Sequence, residues 1–268
     1  MSLTLGDLSG VGFVSGAASG MGKAVALAGM QLILVDLDLP GLEATAKETG
    51  LPADDVYIKK VDISNDKEVD ELFAEIERKF GRLDYAQRSV ALPVQQGANT
   101  ARSSTCPRRT LTRSWTSTCA ASRAEIPLML KNKPTESKEG LGSIVNFASW
   151  SSLHGHIETP HYTTSKFTVA GVTKCLCIGY ASKGIRVNAV APGVINTPML
   201  APQYRDAFNV SLIPLGRLGK ADDVAFAVMF LLCPRAAFVN GTIYHAHTQF
   251  VQAQDGSASS AQRQVVQT

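Results

Sequence analysis

An apolar run, Val11–Val14, leads straight into Ser15-Gly16-Ala17-Ala18-Ser19-Gly20-Met21-Gly22, and this leaves the chain few ways to fold. The run reads as a buried strand. The glycines let the backbone turn sharply into a helix whose first amides face whatever lies in the turn. A G-x-x-x-G-x-G spacing of this kind suits a diphosphate, although the turn alone could be purely structural. Support for a ligand comes from Asp36, which closes the second apolar run, Gln31–Val35, twenty residues past Gly16. A carboxylate there can accept both ribose hydroxyls of an adenosine. It would also repel a 2′-phosphate, and Ser19 and Leu37 supply no cation to offset it. NAD is therefore favoured over NADP.

The rest of the chain alternates in the same way. Val56–Val61, Leu83–Ala86, Ser143–Phe147, Ile185–Ala189 and Thr242–Tyr244 read as further strands, and their continuous apolar character fits a sheet buried on both faces. Asn65–Phe80 carries Val69, Leu72, Phe73, Ile76 and Phe80 at helical spacing. Tyr162–Ser182 and Ala221–Cys233 are the other clear helices. The expected fold is α/β, a single doubly wound parallel sheet of Rossmann type spanning residues 1–246, followed by a polar, disordered tail over 247–268. A net charge of +3 over 268 residues is too small to imply a nucleic acid or an acidic membrane surface as partner. No apolar run approaches the ~20 residues of a membrane span, and the N-terminus lacks a basic, signal-like start. Five cysteines without metal-ligand spacing read as reduced thiols in a cytoplasmic protein.

The second half carries an acid/base set. Ser149 stands thirteen residues before Tyr162, and Lys166 follows Tyr162 by one helical turn, on the same helix face. A free phenol, with a pKa near ~10, is a poor base at neutral pH. An ammonium nearby favours the phenolate, and Ser149 can donate to a substrate carbonyl while Tyr162 gives or takes the proton. The pair by itself could be an ordinary amphipathic face. His154, His156 and His161 crowd the intervening loop, but no firm ligand pattern completes them beyond Glu158, so no metal is expected.

With Asn188-Ala189-Val190-Ala191-Pro192-Gly193 downstream, the chain resembles the short-chain dehydrogenase/reductase family over about Leu8–Ala86 and Arg123–Tyr244. The resemblance implies reversible hydride transfer between NAD(P) and an alcohol/carbonyl pair. It implies Ser149, Tyr162 and Lys166 as the catalytic set, with Tyr162 and Lys166 also gripping the nicotinamide ribose. Ser15, Gly16, Ser19, Gly20, Met21 and Gly22 would hold the diphosphate, and Asp36 the ribose. Asp62 and Ile63 would lie beside the adenine, although Asp62 could simply precede a helix cap. Pro192, Gly193, Ile195 and Thr197 would meet the carboxamide. The stretch from Met199 to Pro214 would form a lid in which Ala201, Tyr204, Phe208, Leu212 and Ile213, with Trp150 and Leu153, suggest a small apolar substrate, cyclic or aromatic.

Three departures stand out. Only eight residues separate Gly22 from Gln31, which leaves a short first crossover helix. Gln87–Ser122 is rich in Arg, Ser and Thr and reads as no clear helix, strand or linker; a basic nucleic-acid arm is disfavoured because Trp115 is its lone aromatic. Thr112–Ala121 can be encoded so that the neighbouring frame spells Asp-Lys-Val-Met-Asp-Val-Asn-Val-Arg-Gly, like the family's helix, with its relay asparagine at Thr118. A frame-shifted or mis-spliced segment is the expectation. Third, Tyr244 runs into a polar tail where the family has Asp-Gly-Gly. The lost apolar burial, ~1.5–3 kcal/mol per side chain, would threaten folding. The departures keep open a catalytically impaired dinucleotide-binding or scaffold protein. Homo-oligomers of the family pair through the helices after the fourth and fifth strands, one of which is atypical here.

Overall fold

A computed structural model describes residues 8–26, 31–89, 108–134, 140–154, 160–200 and 210–247. Among these described residues seven strands form one parallel sheet: β1 (Val11–Ser15), β2 (Gln31–Asp36), β3 (Val56–Lys60), β4 (Tyr85–Arg88), β5 (Gly142–Phe147), β6 (Ile185–Pro192) and β7 (Ile243–Ala246). Their order across the sheet is β3-β2-β1-β4-β5-β6-β7. The reversal of direction lies between β1 and β4, where a doubly wound sheet opens a crevice at its carboxyl ends.

Alternating residues divide the core into two layers. Val14, Leu32, Leu34, Val145 and Val190 face α1 (Gly20–Ala26), α2 (Leu39–Glu48) and a later helix, Ala221–Leu232. Val11, Phe13, Ile33, Val35, Ile144 and Val187 face α3 (Asp66–Phe80), α4 (Arg108–Met129) and α5 (Pro160–Tyr180). The helix over Ala221–Leu232, α6, is fixed by Arg186. Its guanidinium donates to the carbonyls of Leu231, Leu232 and Cys233 at 2.7–3.1 Å, satisfying the acceptors a helix end leaves open.

The predicted strands and helices appear with small shifts. β4 starts at Tyr85, two residues later than expected, because the buried Asp84 spends its carboxylate on Val11 N–H and Arg82. α2 was not anticipated, yet Asp38 caps it through Gly41 N–H and Pro40 sits in its first turn, both recognisable start signals. α1 is seven residues long, and β1 and β2 still pair in parallel register.

The largest correction concerns α4. The Ser/Thr/Arg-rich sequence gave no apolar period, but 108–129 is helical. None of Arg, Ser or Thr forbids a helix, and tertiary burial of Ala120, Ala121, Ile126 and Met129 outweighs weak propensity. Residues 90–107 lie outside the described residues, as do 248–268, so the frame-shift reading and the tail fall largely outside this description. Among the described residues no helix is long and apolar enough to cross a membrane.

Candidate active site

The glycine turn closes on β2, where Gly16 and Ala17 donate to the Val35 carbonyl at 2.9 and 3.3 Å. Gly16 (φ 71°) and Gly20 (φ 56°) adopt left-handed backbone, and a Cβ on Gly22 would collide with the Gly16 carbonyl. Ser15 is buried, Ser19 is exposed and Met21 is half-buried at the start of α1. One oxygen of Asp36 accepts from Ala18 N–H at 3.1 Å, and the other accepts from Leu37 N–H at 2.7 Å. The carboxylate is thus held at the lip of the turn with lone pairs to spare for a ribose. These features fit the adenosine diphosphate half of a dinucleotide.

Asp62 serves locally as well. Its Oδ1 accepts from Ser64 N–H and Oγ–H at 2.9 and 2.6 Å, and Asn65 caps α3. Ile63 beside it is half-buried. Gln87 and Ser89, past the end of the stretch that resembles the family, meet the start of the glycine turn. Ser89 N–H donates to Ser15 Oγ at 3.0 Å, and the Gln87 amide, turned to satisfy both neighbours, donates to the Ser15 carbonyl at 3.2 Å.

Ser149, Tyr162 and Lys166 converge. Ser149 opens a single turn, Trp150–Ser152, in which its Oγ accepts from Ser151 N–H at 3.2 Å while Ser152 returns the cap. Tyr162, near the start of α5, is hydrogen-bonded to the Ser149 side chain. Lys166, one turn on and 7% exposed, donates to the Phe147 carbonyl at 2.8 Å, with its Nζ 5.7 Å from the Tyr162 ring centre.

The electrostatics differ from the sequence expectation. Burial raises the Tyr162 pKa above its ordinary value, and the Ser149 hydrogen bond only partly offsets this. Burial also pushes Lys166 down to about 8. The ammonium points at a backbone oxygen, so desolvation outweighs any pull on the phenol.

Pro192 ends β6, and Ile195 is buried in a parallel bridge to Gly219. Thr197 is buried within 3.4 Å of where a Gly20 Cβ would stand, so the second half of the chain returns to the glycine turn. Gly193 lies against His247. His154 lies against Trp150 with the rings tilted by 32° and their centres 4.8 Å apart, while His156 and Glu158 lie outside the described residues. Among the described residues no three His, Cys, Asp or Glu side chains cluster as a metal would need. Of the expected lid, Ala201, Tyr204 and Phe208 are outside the described residues. A cavity of about 490 Å³ lies behind Gly193, Val194 and Ile195 against Phe226 and Phe230, but none of Ser149, Tyr162 or Lys166 lines it. Sequence reasoning missed the Phe147 carbonyl, a backbone group with no side-chain signature, and a buried pair, Arg88 and Glu125.

Comparison with known proteins agrees with this geometry. A family model described as enoyl-(acyl carrier protein) reductase matches residues 10–248. The chain is 34% identical over 260 residues to the short-chain dehydrogenase srdC of Neurospora crassa, covering 88% of this chain and 94% of that protein. This chain belongs to the short-chain dehydrogenase/reductase family. It is also 32% identical to a cyclohexanol dehydrogenase of an Acinetobacter species, covering 87% of this chain and 92% of that one. Among solved structures, levodione reductase superposes with a TM-score of 0.78 at 28% identity, covering 89% and 96% of the two chains. An actinorhodin polyketide ketoreductase holding NADPH gives 0.77 at 26% identity, covering 90% and 96%. The chain is accordingly an NAD(P)-dependent oxidoreductase acting on alcohols or carbonyls.

Proposed function

We propose that this short-chain dehydrogenase/reductase interconverts a small apolar ketone, cyclic or aromatic, with its alcohol, and that it prefers NAD. The hydrogen bond between Ser149 and Tyr162, with Lys166 one turn below, carries the reading. When bound, NAD(P) supplies the hydride donor or acceptor. Ser149 Oγ orients the substrate oxygen. Tyr162, kept as a phenol by burial, donates its proton to that oxygen during reduction and reclaims it during oxidation. Lys166 presents its charge beneath the phenol and reaches toward the ribose. The preference for NAD rests on Asp36, beside which a 2′-phosphate would meet like charge. The cyclohexanol dehydrogenase and levodione reductase likenesses, with the half-buried Trp150 and Leu153, support an apolar cyclic substrate.

The proposed catalytic domain is residues 1–246, and the free Cys119, Cys175, Cys177 and Cys233 suit the cytoplasm. NADH titration by fluorescence, followed by a panel of cyclic and aryl ketones with Tyr162→Phe as control, tests the proposal. Binding without Tyr162-dependent turnover would favour the second reading, an impaired dinucleotide-binding protein. One observation favours that alternative: Thr118 occupies the expected relay-asparagine position, and its carbonyl is taken by Arg88 at 2.8 Å.

A further inference from the structure

The most unusual buried group outside the catalytic set is Arg88, at the carboxyl end of β4. It is 2% exposed, and its Nη1 donates to the Thr118 carbonyl at 2.8 Å and to Ser122 Oγ at 2.6 Å. Its Nε lies 3.3 Å from Glu125, which is fully buried. One guanidinium therefore spans residues 118, 122 and 125, a single face of α4. In the sheet Arg88 pairs with Asn146 of β5, the residue before Phe147, whose carbonyl holds Lys166. Asn146 in turn donates to Thr173 on α5, the helix bearing Tyr162 and Lys166. A contiguous set of polar contacts thus runs from α4 through β4 and β5 to the catalytic helix.

We propose that Arg88 and Glu125 are a positioning pair for the catalytic lysine: the guanidinium holds the 118–125 face of α4 against the sheet, and the charge on Glu125 sets how firmly it is held. The proposal rests on the catalytic assignment above. Burial pushes Glu125 up to about 7, with the Arg88 charge pulling the other way. Arg88 itself is shifted down by the same burial. Among the described residues, the other titratable group acting on this pair is Cys119, on α4, which interacts with Arg88. The ion pairs Arg123–Asp70 and Lys131–Glu77, between α4 and α3, are at the surface. On α5, Lys166 meets the Phe147 carbonyl rather than the pair itself. A pair buried this deeply adds little net stability, since desolvation offsets the Coulomb attraction. A role in placement is the better account of it.

Two variants test the pair. Because its folded value lies above the unfolded one, Glu125 contributes stability that is full below about 4.5 and is lost as pH rises through about 7. Wild-type melting should therefore fall across that window, and turnover should rise near neutrality as the pair becomes charged. Glu125→Gln should flatten the melting profile and remove that rise in kcat. A Glu125→Gln variant with both wild-type pH profiles overturns the proposal. The double variant Arg88→Leu with Glu125→Leu should melt no lower than wild type while kcat drops roughly five- to tenfold with NADH affinity unchanged. A kcat unchanged within about twofold overturns it as well. Should the double variant fail to fold, the glutamine variant alone decides. Turnover that survives Tyr162→Phe would defeat the catalytic assignment, and the melting profile of Glu125→Gln is read independently of it.

Discussion

The ammonium of Lys166 is spent on the backbone carbonyl of Phe147, 2.8 Å away, rather than on the phenol one turn before it. A buried charge with so little compensation destabilises the fold. With its pKa at about 8 against an ordinary 10.5, the penalty is complete below pH 8 and is relieved as pH rises from 8 to 10.5. Lys166→Met should therefore stabilise the protein at pH 7 by about 2 kcal/mol, or roughly 4–8 °C. The gain should shrink above pH 8, and turnover should fall at least ~100-fold. Melting curves across pH 6–10 alongside ketone reduction check both halves; a variant that melts lower at pH 7 contradicts the account.

Tyr162 remains a phenol at neutral pH because burial raises it. In the proposed mechanism reduction needs the proton on Tyr162, so this group should cause no fall in reduction through neutrality, beside the rise tied to Glu125. Alcohol oxidation should accelerate as pH climbs. Tyr162→Phe should lower kcat ~10²–10⁴-fold in both directions while NADH affinity stays within about twofold. Steady-state rates in the two directions, with fluorescence titration, measure this.

Asp36 does two things at once. It holds Ala18 and Leu37 N–H, and it offers the carboxylate that would meet the ribose. Asp36→Ala should cut the NAD-over-NADP preference about tenfold or more, the equivalent of losing a charged hydrogen bond and a like-charge repulsion. Melting should fall modestly too. Comparing kcat/KM for the two dinucleotides decides it; an unchanged ratio would assign selectivity elsewhere.

Glycines at two positions predict opposite outcomes. In Gly22→Ala the new methyl meets the Gly16 carbonyl, so the turn must open and NADH affinity should weaken roughly tenfold or more. In Gly171→Ala, on the exposed face of α5, the methyl meets nothing within 4 Å. That change should raise stability by about 0.5–1 kcal/mol through helix propensity alone. Calorimetry and NADH titration on the pair separate a turn that binds from one that is only structural.

The segment 87–122 sets a test of the gene itself. We propose that it is a frame-shifted or mis-spliced reading; restoring the frame would place Asn at 118 and return apolar residues to α4. The restored protein, which also loses Arg88, should be more soluble and melt higher. Equal solubility and melting in the two proteins, or a transcript that encodes the segment without a shift, would refute the idea.

Much of this molecule was legible in one dimension because its signals are local or periodic. Continuous apolar runs such as Gln31–Val35 marked buried parallel strands, and the period of Val69, Leu72 and Ile76 marked α3. Gly16, Gly20 and Gly22 announced the turn, since only a residue without Cβ fits there. The thirteen-residue step from Ser149 and the four-residue step to Lys166 anticipated a triad that the fold does bring together. Chain order alone therefore determined the fold class, the turn and which three side chains, Ser149, Tyr162 and Lys166, come together. Tertiary structure decided the rest. It made 108–129 helical, because burial against the sheet outweighs propensity. It aimed Lys166 at Phe147 and placed Arg88 beside Glu125, because strand register and helix packing, not sequence distance, set which buried groups meet.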